Sequence, residues 1–237
     1  MMLHNLLLIM ISNIFLIFKS ILFWINLVIS VLIFGPVTFL IGLISYNACL
    51  NLSKAWCRYN LFFLKTICSL SFIYNGPDLN SSQIVVSRHQ SAWETIFLAA
   101  YVIKPIFILK KELLLIPLFG WCLYLLKNIS IDRSDGVKSL KKIIKSSKDH
   151  IEKKRTLIIF PEGTRVPYGE KSDIKKGVLK ILDFLKIHFL LMNHDAGKYW
   201  SKSSFLIKPG VININTQSLE FTNDMNYLKK KISHYFH

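Results

Sequence analysis

The chain has 237 residues, enough for one full domain with its own core plus an attached anchor. Its 30 Lys and Arg outnumber 14 Asp and Glu for a formal charge of +16, while a 52% hydrophobic content excludes a disordered basic tail. The charge suits anionic lipid head groups, phosphorylated substrates or an acidic carrier protein, and it would attract nucleic acid too, so charge alone selects no partner.

Residues 1–68 read as a membrane-anchoring helical segment. No Asp or Glu precedes Asp78, and no charged side chain lies between Lys19 and Lys54. A cleaved signal peptide is not expected, because no Lys or Arg precedes Lys19 and the apolar stretch runs on too long. Within Ile21 to Leu50, Gly35-Pro36 favours a break or kink, since proline lacks an N–H and restricts the residue before it. Two short halves could fold back as a re-entrant hairpin, whereas one kinked helix could cross the bilayer. The cations that follow, Lys54, Arg58 and Lys65, place the next segment on the cytoplasmic side. Cys49, Cys57, Cys68 and Cys122 lie in or beside apolar runs without Cys-x-x-Cys spacing, so buried thiols in a reducing compartment are expected, with no disulfide and no metal.

From residue 69 to 237 short apolar runs alternate with longer helical patterns, which predicts an α/β domain. Strands are expected at 72–74, 84–86, 106–108, 129–131, 157–160, 189–192 and 211–214, and helices at 91–102, 137–154, 172–186 and 223–235. Val137, Leu140, Ile144 and Ile151 form one stripe of the second helix, with lysines mostly elsewhere; Met225, Leu228, Ile232 and Tyr235 form another near the end. The segment Leu113 to Leu126 is too short to span a bilayer and carries Pro117 and Gly120. It reads as a core or interfacial element, with Trp121 suited to a lipid boundary.

Ser87-Arg88-His89-Gln90-Ser91-Ala92-Trp93-Glu94 crosses from an expected strand to an expected helix, which puts His89 on the connecting loop. A neutral imidazole can take a proton from an alcohol, and a carboxylate on its other nitrogen fixes the tautomer. Glu94 sits in the first helical turn, whose side chains tilt back toward His89. The same Ser91-to-Glu94 spacing also fits a capping box, in which Glu94 would only close the helix start. Phe160-Pro161-Glu162-Gly163-Thr164-Arg165 follows another expected strand. There Arg165 offers a planar fork suited to phosphate and Gly163 a tight backbone path. Arg133 is a second candidate for phosphate, Lys110 and Lys111 add positive potential, and Glu162 is expected to hold Arg165 or a loop amide.

These residues carry a resemblance. The chain is similar to the 1-acylglycerol-3-phosphate acyltransferases, within the wider glycerolipid acyltransferase family, whose hallmark is His, four residues and Asp, then Phe-Pro-Glu-Gly-Thr-Arg. Residues 160 to 165 match in full, Glu94 replaces the Asp, and Lys111-Glu112-Leu113, Pro117, Gly120-Trp121 and Ile131-Asp132-Arg133 resemble the intervening block. The likeness covers about residues 70 to 215 and weakens after 187, where Met192 to Trp200 is only similar to the family's segment. It implies a mixed sheet flanked by helices behind the apolar anchor, in a bacterial-type inner membrane with the catalytic domain facing the cytoplasm.

The implied reaction moves a fatty acyl group from acyl-CoA or acyl carrier protein to the sn-2 hydroxyl of lysophosphatidic acid, giving phosphatidic acid. His89 and Glu94 are the implied catalytic pair. Arg165, Glu162, Gly163, Thr164, Arg133 and Lys111 are candidates for substrate binding. Anionic membrane lipids are expected partners; a bound cofactor and nucleic acid are not. Two other readings fit the same residues: a same-fold enzyme for glycerol-3-phosphate or a lyso-amino-lipid, and a catalytically idle basic membrane adaptor.

Overall fold

A computed structural model describes the backbone of residues 2–236 and the side chains of residues 10–236. Two long helices open the chain, α1 (Met2–Ile44) and α2 (Tyr46–Cys68). Strand β1 (Leu70–Asn75) follows, then β2 (Ile84–Ser87), α3 (Trp93–Tyr101), β3 (Pro105–Lys110), a 3-10 turn (Lys111–Leu115), α4 (Phe119–Leu125) and β4 (Ile129–Ile131). The remainder is α5 (Gly136–Glu152), β5 (Thr156–Ile159), α6 (Lys176–Leu185), β6 (Phe189–His194), α7 (Ala196–Tyr199), β7 (Gly210–Leu219) and α8 (Met225–Phe236).

The seven strands form one mixed sheet in the order β1-β7-β6-β2-β5-β3-β4. From β6 through β4 every pairing is parallel, and the β6–β7 pairing alone is antiparallel. All seven expected strands are present. Their side chains alternate between two cores, as a pleated strand requires. Val85, Ile158, Leu190 and Met192 face α2 and α3, whereas Ile84, Val86, Leu157, Ile159 and Leu191 face α5, α6 and α8. Five strand carboxyl ends, those of β2, β3, β4, β5 and β6, therefore open at one edge of the sheet. Ligands of open α/β sheets gather at such an edge.

Of the break or kink expected at Gly35-Pro36, the break does not occur. Helix α1 runs through Pro36, and the chain turns at Ser45, whose hydroxyl caps α2 by accepting from the Ala48 N–H at 3.3 Å. Such a cap contributes about 1 kcal/mol. Gly35 serves close packing instead: a Cβ there would stand 2.9 Å from the Cβ of Leu118, and the Cys122 thiol donates to the Gly35 carbonyl at 3.6 Å. By length and composition, Met10–Ile44 is one helix long and apolar enough to cross a membrane. Its outer stripe, including Ile14, Phe18, Ile25, Leu32 and Leu40, is exposed.

The inner side of these helices belongs to the domain core. Phe23, Leu61 and Leu64 share a cluster with Val85, Trp93 and Ile212, so the helical segment and the sheet are packed as one unit. Trp200 is the pin. Its ring meets Phe23 at 5.8 Å and Trp24 at 5.7 Å, both edge-on.

The stripe expected on α5 is shifted: the helix buries Ser139, Ile143 and Ser147, with Leu140, Ile144 and Ile151 half covered and Val137 exposed. The segment around Pro117 becomes α4 against α1, with Trp121 touching Phe39 and partly exposed.

Replacing Trp200 by Ala should cost about 3 kcal/mol or more, a fall in melting temperature on the order of 6–12 °C for a chain of this size. An unchanged melting temperature in detergent would mean that α1 is not packed as part of the domain.

Candidate active site

His89 sits two residues beyond β2, and its position is fixed from every side. Its Nδ1 lies 2.8 Å from Oε1 of Glu94, a carboxylate with no exposed surface, while 15% of the His89 side chain remains exposed. Its ring stacks on Phe160, with centroids 4.0 Å apart and planes at 17°. Its backbone N–H donates to Oε1 of Glu162 at 3.3 Å, and its carbonyl accepts from the Val166 N–H at 2.8 Å. The loop of residues 160–166 thus grips both backbone groups of His89.

Glu94 does both tasks that the sequence allows. Its Oε1 accepts from the N–H groups of Gln90 and Ser91 at 2.9 Å each as well as from His89, and its Oε2 accepts from Ser91 at 3.0 Å. Helix α3 therefore begins two residues later than the sequence suggests, because Gln90 and Ser91 turn their amides onto this carboxylate instead of entering the helix. Burial alone would raise the Glu94 pKa. The hydrogen bonds from His89 and the Ser91 amide more than offset that and hold it low. An ionised carboxylate at Nδ1 places the proton there and leaves Nε2 with its lone pair free.

Three further side chains brace the loop. His194, buried at the end of β6, faces the Arg88 carbonyl through Nε2 at 2.9 Å and accepts from the Ala196 N–H through Nδ1 at 3.3 Å. Burial lowers its pKa, so it stays a neutral strut. Gln90 accepts from the Gly197 N–H at 3.1 Å. The Arg88 guanidinium donates to the Glu170 carbonyl at 2.8 Å and to that of Phe236. His194, Gln90 and Arg88 escape a reading based on spacing, because each bonds a backbone group far along the chain.

His89 opens into a cavity of about 640 Å³, which Arg165, Arg133, Gly163 and Lys110 also line. Among the described residues, no group pairs with the guanidinium of Arg165 or Arg133. Gly163 takes φ +69, a left-handed turn that glycine adopts without penalty. Lys175, which the sequence did not single out, lines the same cavity.

Lys111 does not line it. Its ammonium is paired with Asp132, which lowers the Asp132 pKa. Thr164 is exposed and outside the lining, and Glu162 lies beneath the loop. Glu162 is only 5% exposed, and its Oε2 has no hydrogen-bond partner among the described residues. Burial pushes its carboxyl up to about 7. Among the described residues no cluster of His, Cys, Asp and Glu could hold a metal ion.

The profile of the acyltransferase family matches residues 71–195. The 1-acyl-sn-glycerol-3-phosphate acyltransferase of Pseudomonas aeruginosa is 32% identical over 200 residues, covering 83% of this chain and 78% of its own. The protein of the same name from Cocos nucifera is 32% identical over 162 residues, 66% of this chain and 51% of its own. The fold is similar to the crystal structure of the 1-acyl-sn-glycerophosphate acyltransferase PlsC from Thermotoga maritima. That likeness has a TM-score of 0.76 at 19% identity, covering 94% of this chain and 95% of that one.

A folded-state pKa raised from 4.5 to about 7 means that the native state binds the Glu162 proton more tightly than the unfolded chain. The resulting penalty is absent below pH 4.5, grows as pH rises through 7, and reaches on the order of 3 kcal/mol. Glu162→Gln should therefore melt higher than the wild type at pH 8, with the gap closing toward pH 4.5. A gap that is absent or reversed at pH 8 would contradict this burial penalty.

Proposed function

This chain belongs to the acyltransferase family, and from that premise we propose that it acylates the sn-2 hydroxyl of 1-acylglycerol-3-phosphate to form phosphatidic acid for phospholipid synthesis. The donor is a fatty acyl thioester of coenzyme A or acyl carrier protein. The observation that carries the reading is the shared cavity: an imidazole with its free nitrogen turned outward and a guanidinium without a protein partner line one space.

The steps follow from that placement. Arg165 binds the phosphate of the acceptor through two parallel N–H donors. His89 Nε2 takes the proton of the sn-2 hydroxyl as its oxygen attacks the thioester carbonyl, and the positive charge that develops on the ring is balanced by Glu94. The new C–O bond forms and the C–S bond breaks. The proton held on Nε2 then passes to the departing thiolate, which returns the histidine to its starting tautomer. No covalent enzyme intermediate is needed.

The apolar outer stripe of α1 lies in lipid, and anionic lipids meet the basic surface around it. Lys54, Arg58 and Lys65 on α2 support a cytoplasmic position for the catalytic domain at a bacterial-type inner membrane.

His89→Ala should lower turnover about 100- to 10,000-fold, while Arg165→Lys should raise the lysophosphatidic acid KM on the order of tenfold by losing the planar fork. The measurement is product formation by purified protein with labelled oleoyl donor. Wild-type turnover by the first variant would remove His89 from the chemistry, and an unchanged KM in the second would remove Arg165 from the phosphate site.

A further inference from the structure

The cavity at His89 reaches both faces of the sheet. On the side of α1 and α2 it is lined by Val31, Phe34, Trp56, Ile96 and Phe107. On the opposite side it runs between the sheet and the α5/α6 layer, past Ile108, Ile131, Leu140, Ile143, Val178 and Ile181. The assignment to faces follows from strand alternation: Phe107 packs with the α2/α3 core, and Ile108, Ile131 and Ile159 pack with the α5/α6/α8 core. The two branches meet at the ends of β3 and β5, beside His89 and Phe160.

Cations gather at the rim of the second branch, whereas Lys54 on the first is tied to the carbonyls of Val102 and Ile103. Lys110 shares the strand face of Ile106 and Ile108, Arg133 leads into α5, and Lys175 directly precedes α6. The amino termini of α5 and α6 point to the same edge, which adds favourable potential for an anion. Two glycines, Gly136 and Gly177, leave the entrance open: a Cβ on Gly136 would meet nothing within 4 Å, and one on Gly177 only Leu140 Cδ1 at 3.6 Å. Further in, Ile143, Val178 and Ile181 are almost fully buried, so the passage is apolar and shielded from solvent.

We propose that this α5/α6 branch takes the phosphopantetheine arm of the acyl donor, with its phosphate at Arg133 and Lys175 and its thioester at His89. The proposal rests on the acyl-transfer reading above. An unbranched arm with an anionic end fits a passage that starts at a cationic rim and runs between sheet and helices to His89, and it arrives from the side away from the apolar stripe of α1. Arg165 belongs to the loop that crosses His89, so the acceptor phosphate keeps its own cation. The arm is common to coenzyme A and acyl carrier protein, and one passage serves either source.

Gly177→Leu fills the entrance without displacing backbone. It should melt at or above the wild-type temperature, since leucine is also the better helix former. Its KM should rise tenfold or more for both oleoyl-CoA and oleoyl acyl carrier protein, while the KM for lysophosphatidic acid changes less than twofold. An unchanged donor KM, a rise for lysophosphatidic acid alone, or a rise for oleoyl-CoA alone would overturn the assignment, the last because it would point to the nucleotide end.

The double variant Arg133→Ala/Lys175→Ala probes the rim without filling the passage. It should flatten the salt dependence of the donor KM, and an unaltered salt dependence counts against the proposal. Binding of coenzyme A by calorimetry needs no acceptor, and it should weaken about tenfold in Gly177→Leu. Equal binding in the two proteins would sink the arm site, whereas normal coenzyme A binding by a wild type that cannot acylate lysophosphatidic acid would sink only the proposed acceptor.

Discussion

A carboxylate sealed from water organises the reactive end of this molecule. An unpaired charge in that position would be prohibitively costly, and Glu94 is tolerable because one imidazole and two backbone amides converge on it. That requirement dictates the local chain path. Residues 89–91 must curl so that their donors point inward, the helix must start after them, and His89 is left with one nitrogen facing the cavity. Capping and orientation are here a single set of hydrogen bonds, so neither can be altered without the other. The arm of Glu94 is long enough to close on Nδ1 at 2.8 Å.

The parallel strands supply the frame. Because β2 lies between β5 and β6, the loops that leave all three strands adjoin. His89 is held by Glu162 and Val166 from one neighbour and braced through His194 from the other. Helices α1 and α2 are continuous with this frame, since Phe23 and Trp24 pack on Trp200 just beyond α7. The helix that is long and apolar enough to cross a membrane and the placement of His89 are in that sense mechanically joined.

Much of this was legible in the chain. Each strand was signalled by a short run of branched and aromatic residues, and the two motifs led to the same cavity. The departures have physical causes. Gly35-Pro36 favours a break or kink, yet α1 runs on through Pro36, with Leu118 and the Cys122 thiol packed against Gly35 beside it. Strand β7 extends to Leu219 through Asn215, Thr216, Gln217 and Ser218, polar residues that hid it, because β6 supplies antiparallel partners from Ile214 to Leu219. Helix α6 starts late, at Lys176, because the Lys175 N–H is tied back to the Pro161 carbonyl. His194 and Lys175 carry no pattern that spacing could expose; only the fold brings them to the loop.

The direct test of the account is the tautomer of one ring. In protein labelled with 15N at histidine and held at pH 8, NMR should show His89 protonated at Nδ1 and bare at Nε2, with the pattern collapsing when Glu94 is replaced by Gln. A His89 ring that carries its proton on Nε2 would contradict the central claim, because the nitrogen facing the cavity could then accept nothing from a substrate hydroxyl.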